Sequence, residues 1–354
     1  MISVRGLGRG ISCALGAAAL FGASTPLAKA LLGAVSPWLL AGLLYLASGI
    51  GLAAVLVWQR WRGAAQGAPL RAADLPWLMA TIFAGGVCGP VLLMLGLAET
   101  QAATAALLLN LESFFALAIA WLVFHEFVDL RIGIGAAAVV AGSVVLSWNG
   151  HAGLAWGNLW IVAACFAWSI DDNLTRKISG VDPIRLTAIK GLVAAAVNVA
   201  FALSIDSHLP PAAAIAGAGV VGFFGYGVSL CLFVVALREL GAARTMAYFS
   251  VAPFVGAAIA ILGFGEPLTA TFLAAAVLMA VGVALHLTEQ HQHEHVHEPM
   301  EHEHWHWHDE HHQHAHTPDD PSGEPHSHRH AHARLVHSHP HYPDIHHRHR
   351  HRHG

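Results

Sequence analysis

Glu112 is the residue with the clearest capacity for chemistry, because it lies between two strongly apolar segments. Three leucines at 107–109 precede it and FFALAIAW at 114–121 follows it, with Asn110 two residues before. Insertion of an ionisable group into a bilayer costs about 2.5–3.5 kcal/mol, so such a residue is a functional candidate. A carboxyl group in this position suits the binding and release of a proton or a cation. The alternative is a Glu held by hydrogen bonds to a neighbouring helix.

A second polar cluster lies in the segment AWSIDDNLTRK, which contains Asp171, Asp172 and Asn173. Adjacent residues of a helix point about 100° apart, so both aspartates cannot face one ligand without local unwinding. Arg176 follows Asp172 by four residues, a spacing that favours an intrahelical ion pair. We therefore expect Asp172 to pair with Arg176 and Asp171 to face a cavity.

Two lysines, Lys29 and Lys190, lie at the edges of apolar segments. They would add positive charge at the two ends of a cavity, where they could meet an anionic group. Snorkelling toward lipid headgroups is the structural alternative, and we favour it for Lys29. The residues predicted to line a substrate or ion pathway are Lys29, Asn110, Glu112, Asp171, Asp172, Asn173, Arg176 and Lys190.

The C-terminal segment is rich in histidine, with 24 of the 28 histidines in the last 66 residues. Low hydrophobicity and scattered Pro and Gly predict disorder. Repeated imidazoles bind divalent metals such as Ni, Zn, Co or Cu, and no cofactor is otherwise required. A pH sensor and a contact with anionic lipid are rival interpretations. The predicted ligands are His291, His293, His295, His297, His302, His304, His306, His308, His311, His312, His314 and His316.

The composition indicates that lipid is the solvent for residues 11–287. The chain is 55% hydrophobic and 11% charged, and half of its 22 acidic residues follow Thr288. A soluble domain of this size would need a polar surface that the sequence lacks. The net charge of -4 gives no indication of a nucleic-acid partner. The four cysteines lie in apolar segments and predict neither disulfides nor a thiol metal site.

Gly, Pro and charged clusters divide the apolar region into ten segments long enough to cross a bilayer. Lys and Arg concentrate in every second connection, which places both termini in the cytoplasm. The predicted spans are 11–32, 37–58, 75–97, 101–124, 130–148, 154–176, 184–205, 212–237, 243–264 and 268–287.

An internal repeat relates the two halves of the apolar region. AIAWLVFHE at 118–126 and AIAILGFGE at 258–266 match at six of nine positions, 140 residues apart. Five predicted spans in each half require the second copy to be inverted relative to the first. Gly and Pro interrupt the third span at 85–90 and Gly interrupts the eighth at 222–227, which points to a central cavity. Glu126 and Glu266 are predicted to cap the fifth and tenth helices.

The ten-span pattern resembles the EamA-type branch of the drug/metabolite transporter superfamily. Features that carry the resemblance are Leu111-Glu112-Ser113 followed by His125-Glu126, and Pro253 followed by Gly265-Glu266-Pro267. Phe21 and Lys29, like Trp168 and Arg176, match an aromatic residue followed eight positions later by a basic one. The family usually has Trp at Phe21, Pro at Ser113 and a basic residue at Tyr45. The resemblance implies an all-α membrane fold in two repeats and an export function, and it leaves the cargo open.

Together these features predict a first repeat at 11–148, a second at 154–287 and a disordered His-rich cytoplasmic tail at 288–354. We expect a multi-pass protein of the bacterial inner membrane that exports a small metabolite or a divalent metal by alternating access. No phosphate-binding loop is present, so an ion or substrate gradient must supply the energy. A membrane-anchored metal-binding or sensing protein without transport is the alternative. An enzyme is not expected; lipid and the cargo are the expected partners, and a homodimer is considered.

Overall fold

The computed structural model describes most of the chain from residue 4 to residue 340. The described ranges are 4–63, 70–124, 130–147, 156–178, 181–206, 208–240, 242–287, 292–297, 300–306, 326–332 and 335–340. The chain divides into two units, Met1–Glu289 and Gln290–Gly354. Where it is described, the first unit is helical and the second contains short strands.

The first half of the helical unit has two interrupted helical stretches. Its helices are α1 (Val4–Leu31), α2 (Pro37–Trp61), α3 (Leu75–Thr81), α4 (Gly89–Glu99), α5 (Ala102–Leu108), α6 (Leu111–Phe124) and α7 (Leu130–Ser147). A 3-10 turn, Ala72–Asp74, precedes α3, and the π-helical segment Ile82–Cys88 joins α3 to α4. Residues 109–110 separate α5 from α6, so the fourth predicted span is discontinuous.

The second half repeats this sequence of elements. Its helices are α8 (Trp156–Thr175), α9 (Pro183–Ile205), α10 (Ala212–Gly222), α11 (Ser229–Leu240), α12 (Ala242–Phe249), α13 (Ala252–Phe264) and α14 (Ala270–Leu287). The 3-10 turn Arg176–Ile178 follows α8, and the π-helical segment Phe223–Val228 joins α10 to α11. Residues 250–251 separate α12 from α13.

The helical unit has the length and apolar character of a multi-pass membrane protein. Seven helical stretches in the described residues are long and apolar enough to cross a membrane, and Ala252–Phe264 and Ala270–Leu285 are shorter apolar helices. Many large apolar side chains lie on the outside, such as Leu262 at 86% exposure and Phe83 at 66%. An exposed apolar surface of this extent needs lipid around it.

The interruptions recur at equivalent places in the two halves. The π-helical segments end at Cys88 and Val228, which are 140 residues apart, the spacing of the sequence repeat. The two-residue breaks at 109–110 and 250–251 are 141 residues apart. Single π-helical turns inside α-helices are frequent at functional sites, because the wider turn changes which backbone groups are free to bond.

Small residues bring helices of the two halves close together. Helix α2 packs on α9, α7 on α14, α4 on α8 and α1 on α11. A Cβ added at Gly282 would lie 2.6 Å from the carbonyl oxygen of Gly135, and one at Gly142 would lie 2.8 Å from Met279 Cγ. Close backbone approach of this kind supplies packing energy where lipid leaves little hydrophobic drive between helices.

Two antiparallel ladders form within the C-terminal unit. The strands are β1 (Gln292–His297), β2 (Met300–His306), β3 (His326–His332) and β4 (Leu335–Pro340), and β1 pairs with β4 while β2 pairs with β3. These four segments differ from the predicted disorder. Alternation of His with another residue has the two-residue period of a strand, which explains the difference. Only the backbone of these strands is described.

The predicted metal ligands of the tail divide between strands and residues outside the described ranges. His293, His295 and His297 are in β1, and His302, His304 and His306 are in β2, where each pairs in register with a residue of β4 or β3. The others, His291, His308, His311, His312, His314 and His316, lie outside the described residues.

Candidate functional site

A cavity of about 520 Å³ lies between the two halves of the helical unit. The first half contributes lining residues from α1, α2 and α6, and the second half contributes them from α8, α9, α11, α12 and the π-helical segment before α11. Glu112, Asp172 and Lys190 are its charged lining residues. The cavity therefore joins the two candidate clusters that the sequence identified separately.

Glu112 reaches the cavity from the first turn of α6. The break at 109–110 starts a new helix at Leu111, so the N-terminal end of this half-helix lies at the cavity. The N-terminus of a helix carries partial positive charge and favours a carboxylate. Ser169 fixes the register with α8, since its Oγ lies 2.8 Å from the carbonyl oxygen of Glu112.

Glu112 of α6 and Asp172 of α8 both line the cavity, and their side chains interact across the α6–α8 interface. Two carboxyl groups can hydrogen-bond each other only when one of them carries a proton, because two carboxylates are both acceptors. Like charges that lie close together also disfavour a second ionisation. The pair can therefore hold one proton and exchange it with a group that enters the cavity.

Asp171 forms an ion pair with Lys190 of α9. It also accepts a hydrogen bond from Thr175 Oγ1 at 3.1 Å, and it is 5% exposed. The sequence predicted that Asp171 would face the cavity, but in the structure Asp172 lines the cavity and Asp171 does not. The reason is the 100° between adjacent residues, which turns Asp171 toward α9 when Asp172 faces α6.

The π-helical segment before α4 makes room for this ion pair. A Cβ at Gly85 would lie 1.9 Å from Asp171 Oδ2, a distance that no side chain tolerates. The carbonyl oxygen of Gly85 accepts hydrogen bonds from Tyr45 Oη and from Trp168 Nε1, each at 3.0 Å. Gly89 has the same role beside Trp168, whose Nε1 would lie 2.6 Å from an added Cβ.

The equivalent contact in the other half lacks the charge. Gly225, the repeat partner of Gly85, faces Ser24 of α1, and an added Cβ would lie 2.6 Å from Ser24 Cβ. The packing of α8 on the first π-helical segment is thus repeated by α1 on the second. Only one of the two copies carries a carboxylate, so the polar site is confined to one side of the cavity.

Five aromatic rings line the cavity as one connected group, which we call the aromatic wall. Their centroids are 5.0–5.8 Å apart in an unbroken series, which is the spacing of interacting rings. The series runs in the order Tyr45, Tyr226, Phe21, Phe249, Phe233. These rings come from four helices and one π-helical segment of both halves.

At one end of the helical unit, side chains from other elements hold the turn between α4 and α5 in place. Lys29 Nζ donates to the carbonyl oxygens of Leu97 at 2.6 Å and Ala98 at 3.1 Å. Thr100 Oγ1 donates to Asn158 Oδ1 at 3.2 Å at the beginning of α8. Lys29 therefore neutralises the C-terminal end of α4, and it neither snorkels nor lines the cavity.

Glu266 also holds this turn, and we call the contacts of Lys29, Thr100 and Glu266 together the α4–α5 clamp. Its two carboxylate oxygens accept from the backbone N–H groups of Ala102 and Ala103, each at 2.7 Å. The prediction that Glu266 caps the tenth helix is wrong, because α14 begins at Ala270 and the capped helix is α5. A sequence pattern cannot reveal a cap supplied from 164 residues away. Glu126 lies outside the described residues.

Two other predicted pathway residues, Asn110 and Asn173, are not among the residues that line the cavity. Asn110 is buried and its Nδ2 donates to the carbonyl oxygen of Leu107 at 2.9 Å, which stabilises the break before α6. Asn173 Nδ2 donates to Ala116 and Ser169 carbonyls, while its Oδ1 is buried without a hydrogen-bond partner. The backbone of Arg176 lies in the 3-10 turn after α8, and its side chain lies outside the described residues.

Sequence reasoning missed the aromatic wall. Phe21, Tyr45 and Trp168 attracted notice only as positions in a family pattern, and Tyr226, Phe233 and Phe249 were not noticed. Aromatic residues are common in apolar helices, so nothing in one sequence separates those that face a cavity from those that face lipid. The π-helical Gly residues beside Tyr226 are the one signal that could have indicated it.

Known proteins share this architecture. The model of the EamA-like transporter family matches residues 8–148 and, separately, residues 155–288. The chain belongs to the EamA-like transporter family. Its members are membrane transporters, so this multi-pass chain is a membrane transporter rather than an enzyme. The two matches also show that each half of the helical unit is one copy of the same family unit.

A relative and a solved structure are similar to this EamA-like transporter over most of its length. An "Uncharacterized transporter" of Methanothermobacter thermautotrophicus is 28% identical over 281 residues, which cover 74% of this chain and 81% of the relative. A solved structure titled "Crystal structure of protein" superposes with a TM-score of 0.59 at 20% identity and covers 81% of this chain and 99% of its own. The latter similarity concerns the fold alone.

Proposed function

We propose that this protein is a secondary-active exporter of a small solute that works by alternating access and exchanges the solute for a proton. The observation that carries the proposal is a cavity between the two halves that is lined by the carboxyl groups of Glu112 and Asp172. A carrier needs such a cavity, whereas a membrane-anchored sensor without transport does not.

The proposed architecture is ten spans arranged as two inverted repeats of five. The family model matches each half once, and π-helical segments and helix breaks recur 140–141 residues apart. Gly85 of the first half faces α8 of the second half, and Gly225 of the second half faces α1 of the first half. A two-fold axis between the halves would produce this reciprocal arrangement. Inverted repeats place the binding site at their interface, near the middle of the membrane.

The cavity extends toward the end of the helical unit where α8 ends and α9 begins. Thr187 and Met246, in the early turns of α9 and α12, line it there. The α4–α5 clamp lies at the opposite end, beside Asn158 at the beginning of α8. Since the Lys- and Arg-rich connections predict that the open end is cytoplasmic, this state would load its cargo from the cytoplasm of a bacterial inner membrane.

The carboxyl pair supplies the coupling in this proposal. When the cavity faces the cytoplasm, the shared proton leaves Glu112 and Asp172 and the cargo binds beside them. After the α4–α5 clamp opens, a proton from outside returns to the pair and the cargo leaves. One proton moves inward for each cargo molecule that moves outward, so a proton gradient can drive export without a nucleotide.

Replacement of the proton-exchanging group tests the proposal. In proteoliposomes that trap a pH-sensitive dye, addition of a cargo from a panel of small solutes should move protons through the native protein. Glu112→Gln should abolish this movement, because an amide cannot exchange the proton. Its folding should survive, since the amide can donate a hydrogen bond to the Asp172 carboxylate without a shared proton.

Asp206→Asn provides the matched control, because Asp206 is an exposed carboxylate just beyond α9. This variant should move protons as the native protein does. Proton movement at the native rate in Glu112→Gln would contradict the proposed coupling.

The tail is proposed to gather or sense divalent metal on the cytoplasmic side. Support comes from its density of histidines and from the acidic residues between 289 and 328, which raise the local concentration of cations. Metal as the cargo itself has less support. In the described ranges, no group of three or more His, Cys, Asp or Glu residues could hold a metal ion.

A further inference from the structure

We propose that the cargo is an organic cation, an amine or quaternary ammonium compound with an apolar body. This inference rests on the proposed function, because it places the cargo in the cavity between the two halves. Three features of the cavity carry it: the aromatic wall, the carboxyl groups of Glu112 and Asp172 in the same cavity, and a lysine that is already neutralised.

The aromatic wall is suited to the body and the charge of such a compound. The rings of Tyr45, Tyr226, Phe21, Phe249 and Phe233 follow one another at 5.0–5.8 Å. A ring face attracts a cation within about 6 Å through its quadrupole, most strongly where water is excluded. Aromatic rings grouped around a pocket are a general means of binding quaternary ammonium groups.

The polar ends of these side chains are already bonded to the protein. Tyr45 Oη and Trp168 Nε1 both donate to the carbonyl oxygen of Gly85, and Ser24 Oγ donates to the carbonyl oxygen of Phe21. Ser229 Oγ, another lining atom, donates to the carbonyl oxygen of Ala17 at 2.9 Å. The cavity therefore presents ring surfaces more than hydrogen-bonding groups, which does not suit a sugar or another polyhydroxylated cargo.

The charges that line the cavity favour a cation over an anion. Lys190 forms its ion pair with Asp171, so its charge is compensated within the protein. Glu112 and Asp172 bring two carboxyl groups to the cavity, which can hold one proton between them, and Glu112 lies in the first turn of α6. An ammonium group that approaches this pair can take the place of the proton, because both stabilise the second carboxylate. Binding of the cation and release of the proton then follow from one exchange.

The cargo class can be tested by binding to the detergent-purified full chain. The probes are benzyltrimethylammonium, its uncharged carbon analogue neopentylbenzene, and benzenesulfonate, titrated by isothermal calorimetry at several pH values. We expect saturable binding of the ammonium compound, with affinity that rises with pH and with proton release into the buffer. Benzenesulfonate should not bind, and the uncharged analogue should bind at least about tenfold more weakly, the loss of one cation–π or ionic contact.

Two variants test separately whether the carboxyl pair and the aromatic wall bind the ammonium compound. Glu112→Gln should weaken ammonium binding and remove its pH dependence, whereas Asp206→Asn should change neither. Phe21→Leu removes the central ring of the series and should weaken binding by about fivefold or more, while Phe21→Tyr, which keeps a ring, should restore it. Unchanged affinity in both Glu112→Gln and Phe21→Leu would mean that the probe binds elsewhere and would overturn the inference.

Absence of saturable ammonium binding at millimolar concentration, equal binding of the uncharged analogue, or preferential binding of benzenesulfonate would each overturn the cation class. These outcomes leave proton-coupled export of another solute intact, because the vesicle experiment does not depend on the probes. Conversely, ammonium binding without proton movement in vesicles would retain the cation site and reject the proposed coupling.

Discussion

Gly85 determines the geometry of the site at the scale of single residues. It lies in a π-helical turn, leaves its carbonyl oxygen to Tyr45 and Trp168, and admits the carboxylate of Asp171 where a Cβ would stand. Asp171 in turn holds Lys190. A single missing methyl group thus allows three side chains to take their places.

Gly85→Ala should therefore destabilise the protein and displace the Asp171–Lys190 pair. The added Cβ would lie 1.9 Å from Asp171 Oδ2 and 2.4 Å from its Cγ, so the packing must shift. Overpacking of this kind costs about 1–3 kcal/mol, and a disturbed buried ion pair adds to that. A lower melting temperature in detergent, followed by intrinsic fluorescence, would show the effect.

Gly219→Ala is the matched control, since Gly219 lies in α10, which leads into the equivalent π-helical segment. No atom lies within 4 Å of its added Cβ, so the melting temperature should stay the same or rise slightly. A loss as large as that of Gly85→Ala would mean that the helices resist any alanine here, and the specific role of Gly85 would be refuted.

The sequence indicated several of these residues but not their partners. Glu112 was identifiable because a carboxyl group in an apolar segment is rare, and that argument needs no structure. Which of Asp171 and Asp172 faces the cavity depends on the rotation of α8 about its axis. That rotation is set by packing against Gly85 and Gly89, which are more than 80 residues away in sequence.

At the scale of helices, charged side chains fix the end of α4 and the beginning of α5. The α4–α5 clamp places Lys29 on the last carbonyls of α4 and Glu266 on the first N–H groups of α5. Each charge suits its helix end, because the helix dipole favours a basic group at the C-terminus and an acidic group at the N-terminus. The turn between the helices is thereby attached to α1, to α8 and to the segment before α14.

Lys29→Met should weaken the clamp and open the cavity from the side that we propose faces outward. The methionine keeps the apolar stem but cannot donate to the Leu97 and Ala98 carbonyls. A cysteine placed at Ser48 on the cavity wall, in a chain without its native cysteines, should then react faster with a membrane-impermeant thiol reagent added outside.

Lys177→Met is the comparison variant, because Lys177 lies in the 3-10 turn after α8, at the other end of the helical unit. It should leave the reaction rate of the cysteine unchanged. Equal rates in Lys29→Met and in the native background would show that Lys29 does not hold the closed end.

The helices were more predictable than their connections. Runs of apolar residues and Gly/Pro interruptions indicated where helices lie and where they are disturbed, because both signals are local. The clamp joins residues up to 164 positions apart, and no local pattern contains that information. The spacing of the repeat did predict that the π-helical segment and the helix break of one half have counterparts in the other, although the charged residues do not.

At the scale of the whole molecule, the two units can be tested separately within the full chain. Replacement of all 24 tail histidines by Gln, including the twelve predicted ligands between His291 and His316, should remove most binding of Ni²⁺ in equilibrium dialysis. In the native chain, binding should fall as the pH drops below about 6.5, because imidazolium cannot bind a metal. Proton movement in vesicles should persist in the variant if the tail is an accessory.

Replacement of the four histidines outside the tail, His125, His151, His208 and His286, should leave Ni²⁺ binding intact. Loss of metal binding in that variant, or its retention after the tail replacement, would place the metal site in the helical unit and contradict the tail assignment.

The α4–α5 clamp also bears on how fast such a protein can work. In the proposed cycle, the three elements that hold this turn must release together before the outer side opens, so release of one of them leaves the barrier in place. A pore with a single weak gate would dissipate the proton gradient of the cell whenever that gate fluctuated. A closure that several contacts must release together would limit the proposed exporter to one cargo molecule per cycle and preserve the proton gradient between cycles.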